Sequence, residues 1–322
     1  MTVLEAIQKS TEFLGKKNVE SPRLQTELLL AHLLKMPRMK LYLNFDRVLT
    51  TSETDALREL IKRRGRREPL QHIVGSTSFC GFEITVSRHV LVPRPETELL
   101  AELGWQWLGK PPTSNLQPPT SDSQNDAPTA LDFGTGTGCI AIALAAKCPN
   151  AKITATDISA DALALAQENA MRNQVAARIE FLAGDGFAAL ATVGQASRLS
   201  PSEEKKLEAG ATPVLRFDLI ISNPPYIPSA EIATLEPEVR DFDPRLALDG
   251  GADGLDFYRK FASEAKAFLK PDGKIMLEFG DGQADAIKKI FEDEKWIVEA
   301  VQEDYSQRAR ILIAKSSSSS SS

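Results

Sequence analysis

The chain has 322 residues, 42% hydrophobic and 25% charged, an ordinary globular composition with room for about two domains. Cys80, Cys139 and Cys148 form no CxxC pair, and His32, His72 and His89 are the only histidines. This argues against a disulfide framework or a metal centre and for a reducing cytosol. Net charge is -6 but uneven: residues 1–89 carry 15 Lys+Arg against 10 Asp+Glu, and the remainder is strongly acidic, which predicts two units with different roles.

Met1 to Gly15 reads as an amphipathic helix without the basic start and apolar run of a signal peptide. No run reaches the roughly 18 apolar residues of a membrane span, so a cytoplasmic protein with no membrane partner is expected. Ser21-Pro22 reads as an N-cap with proline at the first helical position. Leu24, Leu28, Ala31 and Leu34 then recur at helical spacing up to Pro37. Thr51 to Arg64 reads as another helix, with Ser52 and Asp55 resembling a capping box. The cluster Lys62, Arg63, Arg64, Arg66 and Arg67 suits a solvated helix end or an anionic partner. Residues 1–70 thus predict a small helical bundle.

From residue 71 to 92 the alternation of Phe82, Ile84 and Val86, punctuated by Gly75 and Gly81, predicts a β-hairpin linker. Residues 93–315 form the remaining domain, opening with a helix from Glu98 to Leu108. Two polar stretches, about 110–128 and 194–213, predict flexible surface insertions, and 316–322 is a disordered serine tail. Between them strands and helices alternate: Ala130–Phe133, Cys139–Lys147, Lys152–Thr156, Ala160–Arg172, Arg178–Ala183, Phe217–Ser222, Asp256–Leu269, Lys274–Phe279 and Gln283–Glu292. Trp296–Val301 and Ala309–Ile313 close the chain as strands. This order predicts an α/β fold with a doubly wound, mostly parallel sheet, whose ligands bind at the carboxyl ends of the strands.

Three motifs sit at those ends. Asp132-Phe-Gly134-Thr135-Gly136-Thr137-Gly138 lets the backbone turn tightly and approach a ligand. Cys139 stands where a dinucleotide fingerprint needs a small residue, so the turn suits S-adenosylmethionine, which has no pyrophosphate. Asp157, at the end of the next strand, can accept from ribose hydroxyls or cap the following helix. Asp185, between Gly184 and Gly186, can accept from an adenine amine or serve as a turn residue. The third motif is Ser222-Asn223-Pro224-Pro225-Tyr226. Its prolines stop the strand and fix the Pro224 carbonyl. Asn223 adds a second acceptor, and Tyr226 offers a flat face. Two fixed acceptors and a ring suit a planar NH2 group.

Asn-Pro-Pro-Tyr after the fourth strand, with D-x-G-x-G-x-G after the first, resembles the class I methyltransferases of planar NH2 nitrogens. Arg67-Glu-Pro-Leu-Gln-His-Ile-Val-Gly75, Val92-Pro-Arg-Pro-Glu-Thr-Glu98, Leu246-Ala-Leu-Asp-Gly-Gly251 with Asp253-Gly-Leu255, Ser21-Pro-Arg-Leu24 and Glu27-Leu-Leu-Leu30 are similar to the PrmC/HemK family. The resemblance runs from about residue 3 to 315, outside the insertions. It implies the class I S-adenosylmethionine-dependent methyltransferase fold with a seven-stranded sheet, and a helical bundle that helps bind the protein substrate. It implies methyl transfer to the glutamine side-chain nitrogen (N5) of the Gly-Gly-Gln loop of class I peptide chain release factors, with S-adenosylhomocysteine as product. A DNA amino-methyltransferase and the ribosomal-protein glutamine methyltransferase are the alternatives.

Carried onto this chain, the resemblance gives Gly134, Thr135, Gly136, Thr137, Gly138, Asp157, Asp185, Gly186 and Asn223 to the cofactor. It gives Asn223, Pro224, Pro225 and Tyr226 to substrate binding and catalysis. Arg94 and Glu96 join the substrate set, or form a linker turn with an ion pair. Glu278 either lines the site or caps the helix near Gln283. A monomer with no metal and no direct nucleic-acid partner is expected. Gln25 departs from the family, which has an acidic residue there, and Gln307 stands where a glycine is usual.

Overall fold

The computed structural model describes residues 1–109, 127–191 and 215–317. The insertion read at 194–213, nearly all of that at 110–128 and residues 318–322 of the serine tail lie outside the described residues; Ser316, expected to open a disordered tail, instead pairs with Trp296 in the sheet. The chain divides into two compact units.

The first unit comprises residues 1–77, 86–88 and 233–243. Its helices are α1 (Val3–Lys16), α2 (Pro22–Leu33), α3 (Arg38–Tyr42), α4 (Thr51–Gly65) and α5 (Leu70–Val74). Val3, Ile7, Leu14, Leu29, Leu30 and Leu57 are among the side chains that fill its core. Thr2 and Glu5 form a capping box on α1. On α4 the box is Thr50 with Glu53, two residues before the pair expected from sequence. Glutamate has the reach to return to the N-cap amide, whereas Asp55 pairs with Arg58. Ser21 does not cap α2 through its hydroxyl: its backbone is left-handed, with φ 45°, and only its carbonyl enters the helix, accepting from Gln25 N. The buried Glu27 carboxylate accepts from Arg23, Arg38 and Tyr42.

The expected linker hairpin is shorter than 71–92, because its first residues form α5. Strands β1 (Ser76–Phe79) and β2 (Phe82–Thr85) make a two-stranded sheet. Cys80 and Gly81 both have positive φ, 50° and 84°, as a two-residue type I′ turn requires.

The second unit holds the sheet. Its elements are α6 (Pro95–Leu108), β3 (Thr129–Phe133), α7 (Cys139–Lys147), β4 (Lys152–Asp157), α8 (Ala160–Arg172), β5 (Ile179–Ala183), α9 (Ala188–Ala191) and β6 (Phe217–Ser222). After α10 (Pro237–Arg240), which belongs to the first unit, come α11 (Asp256–Glu264), β7 (Leu269–Glu278), α12 (Ala284–Asp293), β8 (Trp296–Glu303) and β9 (Ala309–Ser316). Helix α6 begins three residues earlier than expected, at a proline in the first helical position; this brings Glu96 and Thr97 into its first turn. The helix expected over Asp256–Leu269 ends at Glu264, and Pro271-Asp272-Gly273 lies inside β7, where the register against β6 shifts.

The seven strands run β5-β4-β3-β6-β7-β9-β8. All pairs are parallel except those of β9 with β7 and β8. This is the class I methyltransferase architecture. Successive side chains of β6 point to opposite faces, so Leu219 and Ile221 join the core that contains Leu100 and Leu144, while Ile220 joins Tyr258, Phe261 and Phe291. The chain winds outward from β3 to β5, then returns to place β6 beside β3. The crevice between the carboxyl ends of β3 and β6 is therefore the topological switch point, where open α/β sheets bind ligands.

Candidate active site

Both sequence motifs emerge at that switch point. The Ser222 hydroxyl donates to the Phe133 carbonyl at 2.6 Å, joining the end of β6 to the end of β3. After β3, Gly134, Gly136 and Gly138 have φ of 73°, 54° and 80°, where side-chain-bearing residues are strained. A Cβ on Gly134 or Gly136 would meet nothing within 4 Å, whereas one on Gly138 would stand 3.0 Å from the Ala166 Cβ. Gly138 thus lets α7 pack on α8, and the other two leave open space beside the turn.

Side chains brace the turn from beneath. Buried Asp132 accepts through one carboxylate oxygen from the Thr135 hydroxyl at 2.6 Å and Ala141 N at 3.0 Å. Its other oxygen is buried without a hydrogen-bond partner. Burial pushes the Asp132 carboxyl up to about 7, against the pull of those two donors. The Thr137 carbonyl accepts from Asn169 Nδ2 at 3.0 Å, and the same amide group donates to Thr85 O.

Asp157 ends β4 and accepts from Gly136 N and Ser159 N, both at 2.9 Å. It does not cap α8, since Ser159 does so by accepting from Ala162 N. Asp185 and Gly186 follow β5. Asp185 is exposed, with its carboxylate 3.3 Å from Lys260 Nζ, a partner no sequence motif signalled.

The Asn223–Tyr226 segment is held from several sides. Asn223 Nδ2 donates to the Thr97 hydroxyl at 2.9 Å. Pro224 is buried, and Asn223, Pro225 and Tyr226 are half-buried. Burial pushes the Tyr226 hydroxyl up to about 12, with Glu278 adding to the effect. Its carbonyl accepts from Gln283 Nε2 at 2.9 Å. The Leu246–Leu255 segment runs alongside: Ile227 N donates to Leu248 O, Gly250 N to Ile227 O, and Ser229 N to Gly251 O. A Cβ on Gly250 would lie 2.9 Å from Tyr226 Cα. Gly250 and Gly254 of this motif thus pack directly on the backbone of the Asn-Pro-Pro-Tyr loop, whereas Gly251 gives room to Asp256.

Arg94 is the half-buried N-cap residue of α6, and Glu96 lies exposed in its first turn. Thr97, the next residue of that turn, is 3% exposed; its place inside Pro-Arg-Pro-Glu-Thr-Glu is the only sequence signal that marks it. Glu278, at the end of β7, is 1% exposed. It does not cap α12, whose N-cap residue is Gln283. Burial pushes its carboxyl up to about 7, opposed by a hydrogen bond from Thr97 and by the charge of Arg310. Among the described residues no cluster of His, Cys, Asp or Glu could hold a metal, and no helix is long and apolar enough to cross a membrane.

A PrmC N-terminal domain model matches residues 5–75, and a methyltransferase domain model matches residues 124–315. The release factor glutamine methyltransferase of Geobacter sulfurreducens is 40% identical over 290 residues, covering 90% of this chain and 88% of the relative. The protein so named from Chlorobaculum tepidum is 40% identical, covering 88% of this chain and 87% of its own. The chain belongs to the release factor glutamine methyltransferase family. The relative from Rhodospirillum rubrum is 39% identical over 297 residues.

Two departures from the release factor glutamine methyltransferase pattern have structural readings. Gln25 accepts from Arg64 Nε, and Arg64 obtains its carboxylate partner from Glu238 at 2.7 Å instead. Gln307 has φ 60°, the left-handed conformation for which the usual glycine is suited.

Proposed function

We propose that this protein transfers a methyl group from S-adenosylmethionine to the side-chain amide nitrogen of the Gly-Gly-Gln glutamine of class I peptide chain release factors. The observation that carries this reading is the Ser222–Phe133 bond. It holds a loop suited to a planar NH2 group against a glycine turn suited to S-adenosylmethionine. Family membership supplies the substrate class.

The residues present fit the cofactor. Gly134 and Gly136 open space beside the turn. Asp157 is anchored by two amides and keeps lone pairs for ribose hydroxyls. Asp132 has a buried, unpartnered oxygen suited to a cationic ligand. Asp185 and Gly186 stand at the next strand end, where an adenine edge would meet them. When bound, S-adenosylmethionine supplies an electrophilic methyl group on a sulfonium and leaves as S-adenosylhomocysteine.

An amide nitrogen is a weak nucleophile, because its lone pair is delocalised into the carbonyl. Asn223 Oδ1 and the Pro224 carbonyl take its two N–H groups, orient the lone pair and stabilise the positive charge that grows on nitrogen. Pro225 keeps that carbonyl fixed, and Tyr226 packs on the amide plane. Orientation of this kind is worth roughly 7–11 kcal/mol. The methylated amide is strongly acidic and loses its proton to water. Arg94 and Glu96 border the approach to this loop. The helical first unit helps bind the release factor; the protein acts in the cytoplasm as a monomer without direct nucleic-acid contact.

Labelled S-adenosylmethionine offered with a purified release factor, duplex DNA or a large-subunit ribosomal protein tests the reading. Label on the release factor alone is expected. Label on DNA or on the ribosomal protein in its place overturns it.

A further inference from the structure

We propose that Thr97 and Glu278 are positioning residues that decide which end of the Asn223 amide faces the substrate. The inference rests on the substrate-binding role given to Asn223 above. The two ends of an asparagine amide are nearly isosteric but opposite in function: only Oδ1 can accept from a substrate NH2 group, and Nδ2 would repel it. A loop that needs the oxygen outward must therefore select against the reversed amide.

Thr97 supplies the selection. Its hydroxyl lies 2.9 Å from Asn223 Nδ2, it is buried, and it has a single proton to give. Glu278 lies beside it with a carboxylate hydrogen-bonded by the Thr97 side chain. An ionised carboxylate accepts only. The Thr97 proton is thus committed to Glu278, and the hydroxyl is left with lone pairs toward Asn223. Those lone pairs match Nδ2 and disfavour Oδ1, so Oδ1 turns to the open side. Glu278 Oε2 is buried without a hydrogen-bond partner. A buried carboxylate in that condition costs stability, and the relay gives a reason for its presence.

Protonation of Glu278 would reverse the logic. A neutral carboxyl can donate to Thr97, freeing the Thr97 proton for Asn223 Oδ1 and drawing the oxygen inward. The groups facing Glu278 are Arg310 on β9, Arg94 and Glu96 at the start of α6, Tyr226 on the catalytic loop and Tyr258 on α11. Tyr258 Oη donates to the Glu278 backbone carbonyl, not to its side chain, and Arg310 Nη1 donates to Phe279 O. Those two donors are spent on backbone carbonyls, while the Thr97 side chain hydrogen-bonds the carboxylate itself, so Thr97 responds to the state of Glu278.

The test is steady-state methylation of a release factor by wild type, Thr97→Val, Thr97→Ser and Glu278→Gln, with S-adenosylmethionine affinity measured separately by calorimetry. Thr97→Val keeps the shape and removes the hydroxyl. Its kcat is expected to fall at least tenfold, with cofactor affinity and the KM for release factor within threefold of wild type; Thr97→Ser should restore most of kcat. Wild-type kcat should fall on acidification through about pH 7, and Glu278→Gln, which cannot ionise, should lose that acid limb. Thr97→Val with near-wild-type kcat, or with kcat and cofactor affinity lost together, overturns the inference. So does an unchanged acid limb in Glu278→Gln, which decides the matter even if Thr97→Val fails to fold. Absence of methylation by wild type would instead strike the functional reading itself.

Discussion

A Cβ on Gly254 would collide with the Tyr226 carbonyl oxygen, so the backbone of the Leu246–Leu255 segment approaches the Asn-Pro-Pro-Tyr loop too closely for any side chain between them. The same position has φ 78°. Gly254→Ala therefore meets both a collision and a strained backbone, the latter alone costing about 1–2 kcal/mol. Methyl transfer should fall at least tenfold, because the Pro224 carbonyl and Tyr226 shift together. Gly282→Ala is the matched control: φ is 76° there too, but a Cβ would meet nothing within 4 Å. Transfer rates and melting temperatures of the two variants check this; equal losses would contradict the bracing role.

Asp157→Ala should weaken S-adenosylmethionine binding at least tenfold, or about 1.4 kcal/mol, by removing both the ribose acceptor and the anchor of Gly136 N. Titration calorimetry reads this directly. An unchanged dissociation constant would remove Asp157 from the site.

Burial raises the carboxyls of Asp132 and Glu278 to about 7 from ordinary values near 4. Between those limits the folded protein keeps protons that the unfolded chain has released, so folding stability falls as pH rises through the window. Glu278→Gln removes one of these groups. From pH 4.5 to 7 it should lose less unfolding free energy than wild type, and denaturant titrations at several pH values measure the difference. Parallel pH profiles would contradict the burial argument.

In the first unit, Arg64 donates to Glu238 at 2.7 Å and to Glu68 O at 3.0 Å. Burial opposes ionisation of Glu238, yet hydrogen bonds from Arg67 and Arg64 hold its carboxyl below the ordinary value. Breaking a buried pair by removing one partner costs about 3–5 kcal/mol; Arg67 remains on Glu238, so Arg64→Ala should lie toward the lower end. Exposed Arg66→Ala should be nearly neutral. Chemical denaturation of both variants compares them, and equal effects would contradict the pairing.

Much of this was legible in the residues. The alternation of apolar strands and helices gave the doubly wound sheet, and Asp132–Gly138 with Ser222–Tyr226 marked the switch point, because turn and proline chemistry is local. What was hidden depended on contacts distant in sequence. Nothing in Pro-Arg-Pro-Glu-Thr-Glu says that Thr97 meets Asn223, 126 residues on. The role of Gly250 and Gly254 becomes visible only with Tyr226 beside them. Caps were misplaced by two residues on α4, since Ser52 with Asp55 and Thr50 with Glu53 both satisfy the spacing and side-chain reach decides between them. Lys260 beside Asp185 belongs to a helix 75 residues away, beyond any local pattern.

Tandem mass spectrometry of the Gly-Gly-Gln peptide from a class I release factor, incubated with the enzyme and S-adenosylmethionine, locates the transferred methyl group. One methyl group is expected on the glutamine side-chain nitrogen, none on a Gly-Gly-Ala version, and none with Asn223→Ala enzyme that still binds cofactor. A methyl group placed elsewhere on the release factor, or full turnover by Asn223→Ala, would contradict the proposed transfer.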